Sequence, residues 1–316
     1  MSKEKFYSPL KIGLFIVALA YFLFALHDTF TLSWIGEWNH IASGQFRFEI
    51  YFEDVVAFVA TFFRLAAGII AFAAIIAYFA KKTISRQTVF TVLRWIAVLE
   101  GTYWVLAFLP TGYFEVRDLF FTHAFGPMSL NAILNSFTLN TLPVLAESIA
   151  TPIALFILAS KLNANKPLKP AIRWGLIYGA VYIFVIWLLN TTLWITVIQE
   201  PGKGTGYLIS YPQNLLSFVL TAAGLLALAF YTLGFAVKSR NAESLQKLNL
   251  KAVGAIILSL GLYFLWNYLT WIYFGGWSDW YAWFLGHNED LWMLSLPMLG
   301  APLLFARKSE ERDNSA

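Results

Sequence analysis

The stretch YFEDVVAFVATFFRLAAGIIAFAAIIAYFA, residues 51–80, decides the fold. It opens next to two acids, Glu53 and Asp54, carries one charge, Arg64, along its length, and stops at Lys81-Lys82. A hydrocarbon core of about 30 Å takes about 20 apolar residues as a helix. This stretch is long enough and has no strand-like alternation. It reads as a transmembrane helix with an acidic start and a basic end.

Outward from it, seven more segments read the same way: roughly 10–33, 88–111, 130–160, 171–198, 213–237, 251–275 and 284–306. The expectation is an all-α, polytopic transmembrane bundle of about eight helices. The composition agrees, with 59% hydrophobic and only 13% charged residues, whereas a soluble domain carries about 25% charged. Such a chain could not cover its surface in water. The bilayer is therefore its first partner. Nothing in the pattern points to nucleic acid. The run from Ile12 is not followed by a small-x-small cleavage site, so the first segment reads as a retained helix rather than a signal peptide.

Basic residues set the expected orientation. Lys3, Lys5 and Lys11 precede the first segment; Lys81, Lys82 and Arg86 join the second and third; Lys161, Lys166, Lys169 and Arg173 join the fourth and fifth. Lys238, Arg240, Lys247 and Lys251 join the sixth and seventh, and Arg307, Lys308 and Arg312 follow the last. The opposite side carries only Arg47, Arg117 and Lys203. This asymmetry predicts a multi-pass protein of the cell membrane with both termini cytoplasmic.

Segment starts recur about every 80 residues, and Arg94-Trp95 with Tyr103 resembles Arg173-Trp174 with Tyr182. The chain reads as two parallel four-helix halves: a polar half over 1–165, a scaffold half over 166–308, and a disordered cytoplasmic tail over 309–316. In architecture alone this resembles the polysulfide-reductase type of membrane anchor; no motif carries residues over from that family.

Charges inside the segments are the first candidates for chemistry. Arg64, Glu100 and Glu147 fall near the expected midplane, with Arg94 closer to the cytoplasmic side. An unpaired charge there costs roughly 2.5–3.5 kcal/mol on insertion scales, so each should face protein and find a partner. Depth counted from the outer helix ends predicts two pairs, Arg64–Glu100 and Arg94–Glu147. Ser136, Asn140, Glu147 and Thr151 share one helical face, and Pro143 and Pro152 bracket Glu147 and loosen the backbone. These residues read as a transport path lined by Arg64, Glu100, Glu147, Asn140 and Arg94. The structural alternative is that the charges fix register and the hydroxyls and amides join helices. Gly175-x-x-x-Gly179 permits close helix packing.

The outer ends supply the second set. Asp28, Glu53, Asp54, Glu289 and Asp290 could form an acidic mouth, and His27, His123 and His287 lie at the same end. His with carboxylate suits zinc, copper or iron. A single b-type haem between His27 and His287 would be compatible, whereas two haems stacked across the membrane would not, because no histidine lies deep. No H-E-x-x-H spacing is present, and carboxylates are stabilised at helix N-termini in any case. The absence of cysteine removes disulfides, thiolate metal sites and iron–sulfur clusters. There is no phosphate-binding loop and no G-x-S-x-G elbow.

Three functions fit: a transporter or channel for a proton, cation or small solute; the quinone-interacting membrane anchor of a redox complex; or an outer-face metal-dependent enzyme or assembly factor. The first accounts for most of the buried polarity. Substrate, cofactor, oligomeric state, companion membrane subunits and any outer-face partner are left open by the sequence.

Overall fold

The computed structural model describes residues 3–32, 43, 48–80, 85–121, 149–163, 169–199, 212–238, 250–275 and 293–305. Among these residues there are eight helical stretches and no strand. In chain order they are α1 (Lys3–His27, continued by a π-helical turn, Asp28–Leu32), α2 (Phe48–Ala80), α3 (Arg86–Phe121) and α4 (Thr151–Lys161). The second half holds α5 (Lys169–Gln199), α6 (Pro212–Val219, a π-helical stretch Leu220–Leu225, then Leu226–Lys238), α7 (Leu250–Gly275) and α8 (Leu296–Leu304).

Local chemistry explains where several of them begin. Pro170, Pro212 and Pro297 each occupy one of the first two positions of a helix. There the missing N–H is not needed and the fixed φ already suits the helix. Ser85 caps α3, its Oγ accepting from the Thr88 N–H at 3.1 Å. Such a cap satisfies one of the donors that a helix start leaves open.

Among the described residues six helices are long and apolar enough to cross a membrane: Pro9–Phe30, Val55–Ala80, Gln87–Ala107, Pro170–Thr192, Pro212–Lys238 and Lys251–Thr270. No more than a third of the apolar window in any of them is buried inside the protein. Val59, Phe62, Ile69 and Ile76 of α2, like Phe230, Leu233 and Val237 of α6, turn outward. A surface of this kind is stable in lipid, where helices satisfy their own backbone groups. The protein is thus a helical membrane protein. The fourth and eighth expected segments are described only from residues 149 and 293 onward.

Each helix packs on the next in chain order, and α8 returns to pack on α1. The most extensive contact is α2 on α3, and α7 on α8 and α5 on α6 follow equally; α6 and α7 touch only lightly. Phe22 stacks on Phe72 between α1 and α2, with centroids 5.3 Å apart. The α8 contacts are close because glycines line them. A Cβ built on Gly254 of α7 would lie 2.8 Å from the Gly300 carbonyl oxygen, and one on Gly300 would lie 2.8 Å from the Leu258 Cα. Gly13 of α1 meets the Met298 backbone in the same way. Among the described residues nothing lies within 4 Å of where a Cβ on Gly175 or Gly179 would stand, and the close small-residue contacts seen lie on other helices than the one the spacing suggested.

The second half carries buried polar contacts of its own. In the π-helical stretch of α6 the Ala222 carbonyl accepts from the Trp187 indole N–H at 2.8 Å. Thr221, buried, lies 3.3 Å from the Tyr263 hydroxyl, and the Trp266 indole donates to Ser217 Oγ at 2.9 Å. A wider turn in a helix loosens the regular ladder and presents carbonyls sideways. Trp187→Phe, which keeps the ring and removes the donor, is expected to cost about 1 kcal/mol in thermal unfolding in detergent. An unchanged midpoint would mean the indole N–H does not hold α5 to α6.

Candidate functional site

Arg64 is the centre of the best-defined polar cluster. It lies on α2, nine residues into its span from Val55, or roughly 14 Å along the helix, and is 3% exposed. Its Nη1 donates to Asp28 Oδ2 at 3.2 Å. Its Nε stands 3.6 Å from Glu100 Oε1, an ion-pair distance. Tyr21 donates its hydroxyl to the same Glu100 oxygen. The guanidinium carbon lies 3.4 Å from the centre of the Tyr103 ring, with Phe24 at 5.0 Å and Trp104 at 5.4 Å. Aromatic faces attract a guanidinium and shield it from lipid.

Three helices supply these groups, and helical spacing explains how. Tyr21 and Asp28 are seven residues apart on α1, nearly two turns, and so share a face. Glu100, Tyr103 and Trp104 are related as i, i+3 and i+4 on α3. Arg64 on α2 reaches both sets because α2 packs between α1 and α3. Thr29, fully buried, secures the end of α1: its hydroxyl donates to the Ala25 carbonyl at 2.8 Å and reaches the Thr61 carbonyl of α2 at 3.3 Å. Asp28 stands where α1 passes into the π-helical turn, with its carboxylate on Arg64.

The cluster is a charge-unbalanced one. With both carboxylates ionised, two negative charges face one guanidinium, a formal sum of −1. Their side chains are 16% and 14% exposed, so they stay mostly out of water. One additional proton or monovalent cation would bring the group to neutrality, and a low-dielectric setting favours that.

Other expected site residues fall in different places. Asp28, expected at an outer mouth, is an ion-pair partner of Arg64. Arg94 is exposed, on the α4 flank of α3, where it lines a groove with Leu162 and Asn163. Opposed residues run antiparallel there, with Gly101 against Phe156 and Arg94 near Leu162. Arg94 is therefore level with the C-terminal end of α4. Glu147, Asn140, Ser136, His123, His287, Glu289 and Asp290 lie outside the described residues. Glu53 and Asp54 sit in the second turn of α2, which starts at Phe48, so they are past the first turn where the helix dipole acts most strongly. Thr151 is buried, 2.9 Å from the Tyr178 hydroxyl of α5. Among the described residues no three His or acidic side chains are placed to hold a metal ion.

No family model matches the chain, no curated protein matches it, and no solved structure matches it.

Proposed function

We propose that this protein is a multi-pass membrane transporter that moves a proton or a small monovalent cation through its first four helices. The observation that carries the reading is the single guanidinium of Arg64 held between Asp28 of α1 and Glu100 of α3. A proton or cation arriving at one carboxylate weakens that ion pair and lets Arg64 favour the other. Two pairings of one arginine, biased by the bound ion, make a two-state element. The π-helical turn at Asp28–Leu32 is the part of α1 that would yield.

In this reading the chain makes eight spans in two parallel halves, with both ends on the side of the basic connections, in a cell membrane. Glu53, Asp54, Glu289 and Asp290 form the acidic entrance. Asn140 and Glu147 continue the route beyond Glu100. Arg94, exposed on the α4 flank, is not part of it.

The test is flux into proteoliposomes carrying a pH-sensitive dye, with an imposed proton gradient or membrane potential of either sign. Wild-type protein is expected to dissipate the gradient well above protein-free vesicles. Glu100→Gln is expected to lower the rate at least tenfold, and Asp28→Asn to lower it by a similar factor. Wild-type vesicles no leakier than empty ones, with sodium and potassium gradients equally intact, would defeat the proposal. So would a Glu100→Gln rate equal to wild type.

A further inference from the structure

We infer that the groove between α3 and the end of α4 is a binding site for an anionic glycerophospholipid, its phosphate on Arg94. The groove has a volume of about 550 Å³, within the usual range for small-molecule sites. Gln87, Thr91 and Arg94 give it a polar wall, and Phe90, Val98 and Leu162 an apolar one. Asn163 also lines it. No acidic side chain lines it among the described residues.

Two features make an anion the fitting occupant. Arg94 stands seven residues inside the span that begins at Gln87, roughly 10 Å along the helix, yet its side chain is exposed and has no ion pair among the described residues. A cation so placed reaches toward the headgroup layer and gains from meeting a phosphate there. The adjacent Trp95, 55% exposed, suits the same boundary. The second feature is the neighbourhood. Lys161 closes α4 beside the groove, and basic pockets between transmembrane helices are a recurrent way to hold anionic headgroups. The apolar wall then receives the start of an acyl chain. Phe90 and Leu162 of that wall pack with Ala171 and so tie α3, α4 and α5 together. A phospholipid fits this division of polar and apolar surface better than a free anion, which would leave the apolar wall uncovered. The site does not depend on the transport reading, since it lies on the opposite flank of α3 from α2.

The experiment is native mass spectrometry of the full-length protein in detergent, titrated with phosphatidylglycerol or with phosphatidylcholine of the same chains. Wild-type protein is expected to hold one phosphatidylglycerol about fivefold more tightly than phosphatidylcholine. Arg94→Gln is expected to abolish that preference, and Lys238→Gln, at the basic end of α6, to preserve it. Val98→Phe fills the apolar wall, leaves the charge in place and is expected to weaken the same adduct; it decides the question if Arg94→Gln is not monodisperse. Equal affinity for the two lipids, an unchanged preference in both groove variants, or equal loss in Lys238→Gln would overturn the site. Displacement of phosphatidylglycerol by inorganic phosphate that itself remains bound would identify a free-anion site and overturn the lipid assignment.

Discussion

Replacing Arg64 with methionine is expected to lower stability by about 3–5 kcal/mol, the usual cost of leaving buried charge without its partner. Methionine fills much of the same volume and keeps the apolar contact with Phe24, Tyr103 and Trp104. What it removes is the guanidinium that pairs with both Asp28 and Glu100. The formal charge of the cluster goes from −1 to −2 in a low-dielectric setting. Thermal unfolding in detergent, followed by tryptophan fluorescence, measures the effect. Two controls make the attribution sharp. The triple variant Arg64→Met, Asp28→Asn, Glu100→Gln carries no net charge at the site and is expected to recover most of the loss. Asp28→Asn or Glu100→Gln alone leaves a neutral ion pair and is expected to cost about 1 kcal/mol or less. An Arg64→Met protein as stable as wild type would mean the guanidinium is not what neutralises the two carboxylates.

The same variants separate fold from function. Asp28→Asn and Glu100→Gln keep the bundle intact by this argument, so a loss of flux in either reports on the ion and not on unfolding. Arg64→Lys is a different probe. A lysine carries the charge but not the planar fork, and it cannot lie flat on the Tyr103 ring while reaching two carboxylates. It is expected to fold better than Arg64→Met and to lose one of the two pairings.

Reading depth along helices was enough to bring Arg64 and Glu100 together, because an ion pair inside a span has few places to form. It was not enough for Asp28. A count of residues puts Asp28 at the end of its helix, whereas its ion pair with Arg64 depends on how α1 and α2 are set against each other. Tyr21 was visible in principle, as the residue two turns before Asp28 on the same face, but tyrosine is so common in this chain that spacing alone does not select it. In the sequence Tyr103 stands out by its resemblance to Tyr182, not by the cation it covers. The class of fold was the most legible part, since span length and charge asymmetry are properties of single segments. Helix-to-helix register was the least legible. It depends on which faces meet, and a short spacing motif does not carry that information.

The glycines show this most directly, and they yield the second large effect. Gly254→Ala and Gly300→Ala are each expected to destabilise the protein by about 1–3 kcal/mol, toward the upper end because the obstacle is backbone. A Cβ on Gly254 would press on the Gly300 carbonyl and the Leu303–Leu304 backbone, and one on Gly300 would press on the Leu258 backbone. Neither can be relieved by turning a side chain, so α8 must move away from α7. Because α8 also packs on α1, that movement opens the ring of helices at its closure. Gly175→Ala and Gly179→Ala, in the motif the sequence makes conspicuous, should do the reverse. Each adds a methyl into open space and relieves the entropic cost of glycine in a helix, about 0.5–1 kcal/mol. Unfolding midpoints of the four variants under one set of conditions give the comparison. If Gly175→Ala or Gly179→Ala destabilises as much as Gly254→Ala, α5 has a close partner on that face, a second subunit being the natural one. If Gly254→Ala and Gly300→Ala are neutral, α8 does not close the bundle through these contacts, and the short helix is held by Gly13 and α1 instead.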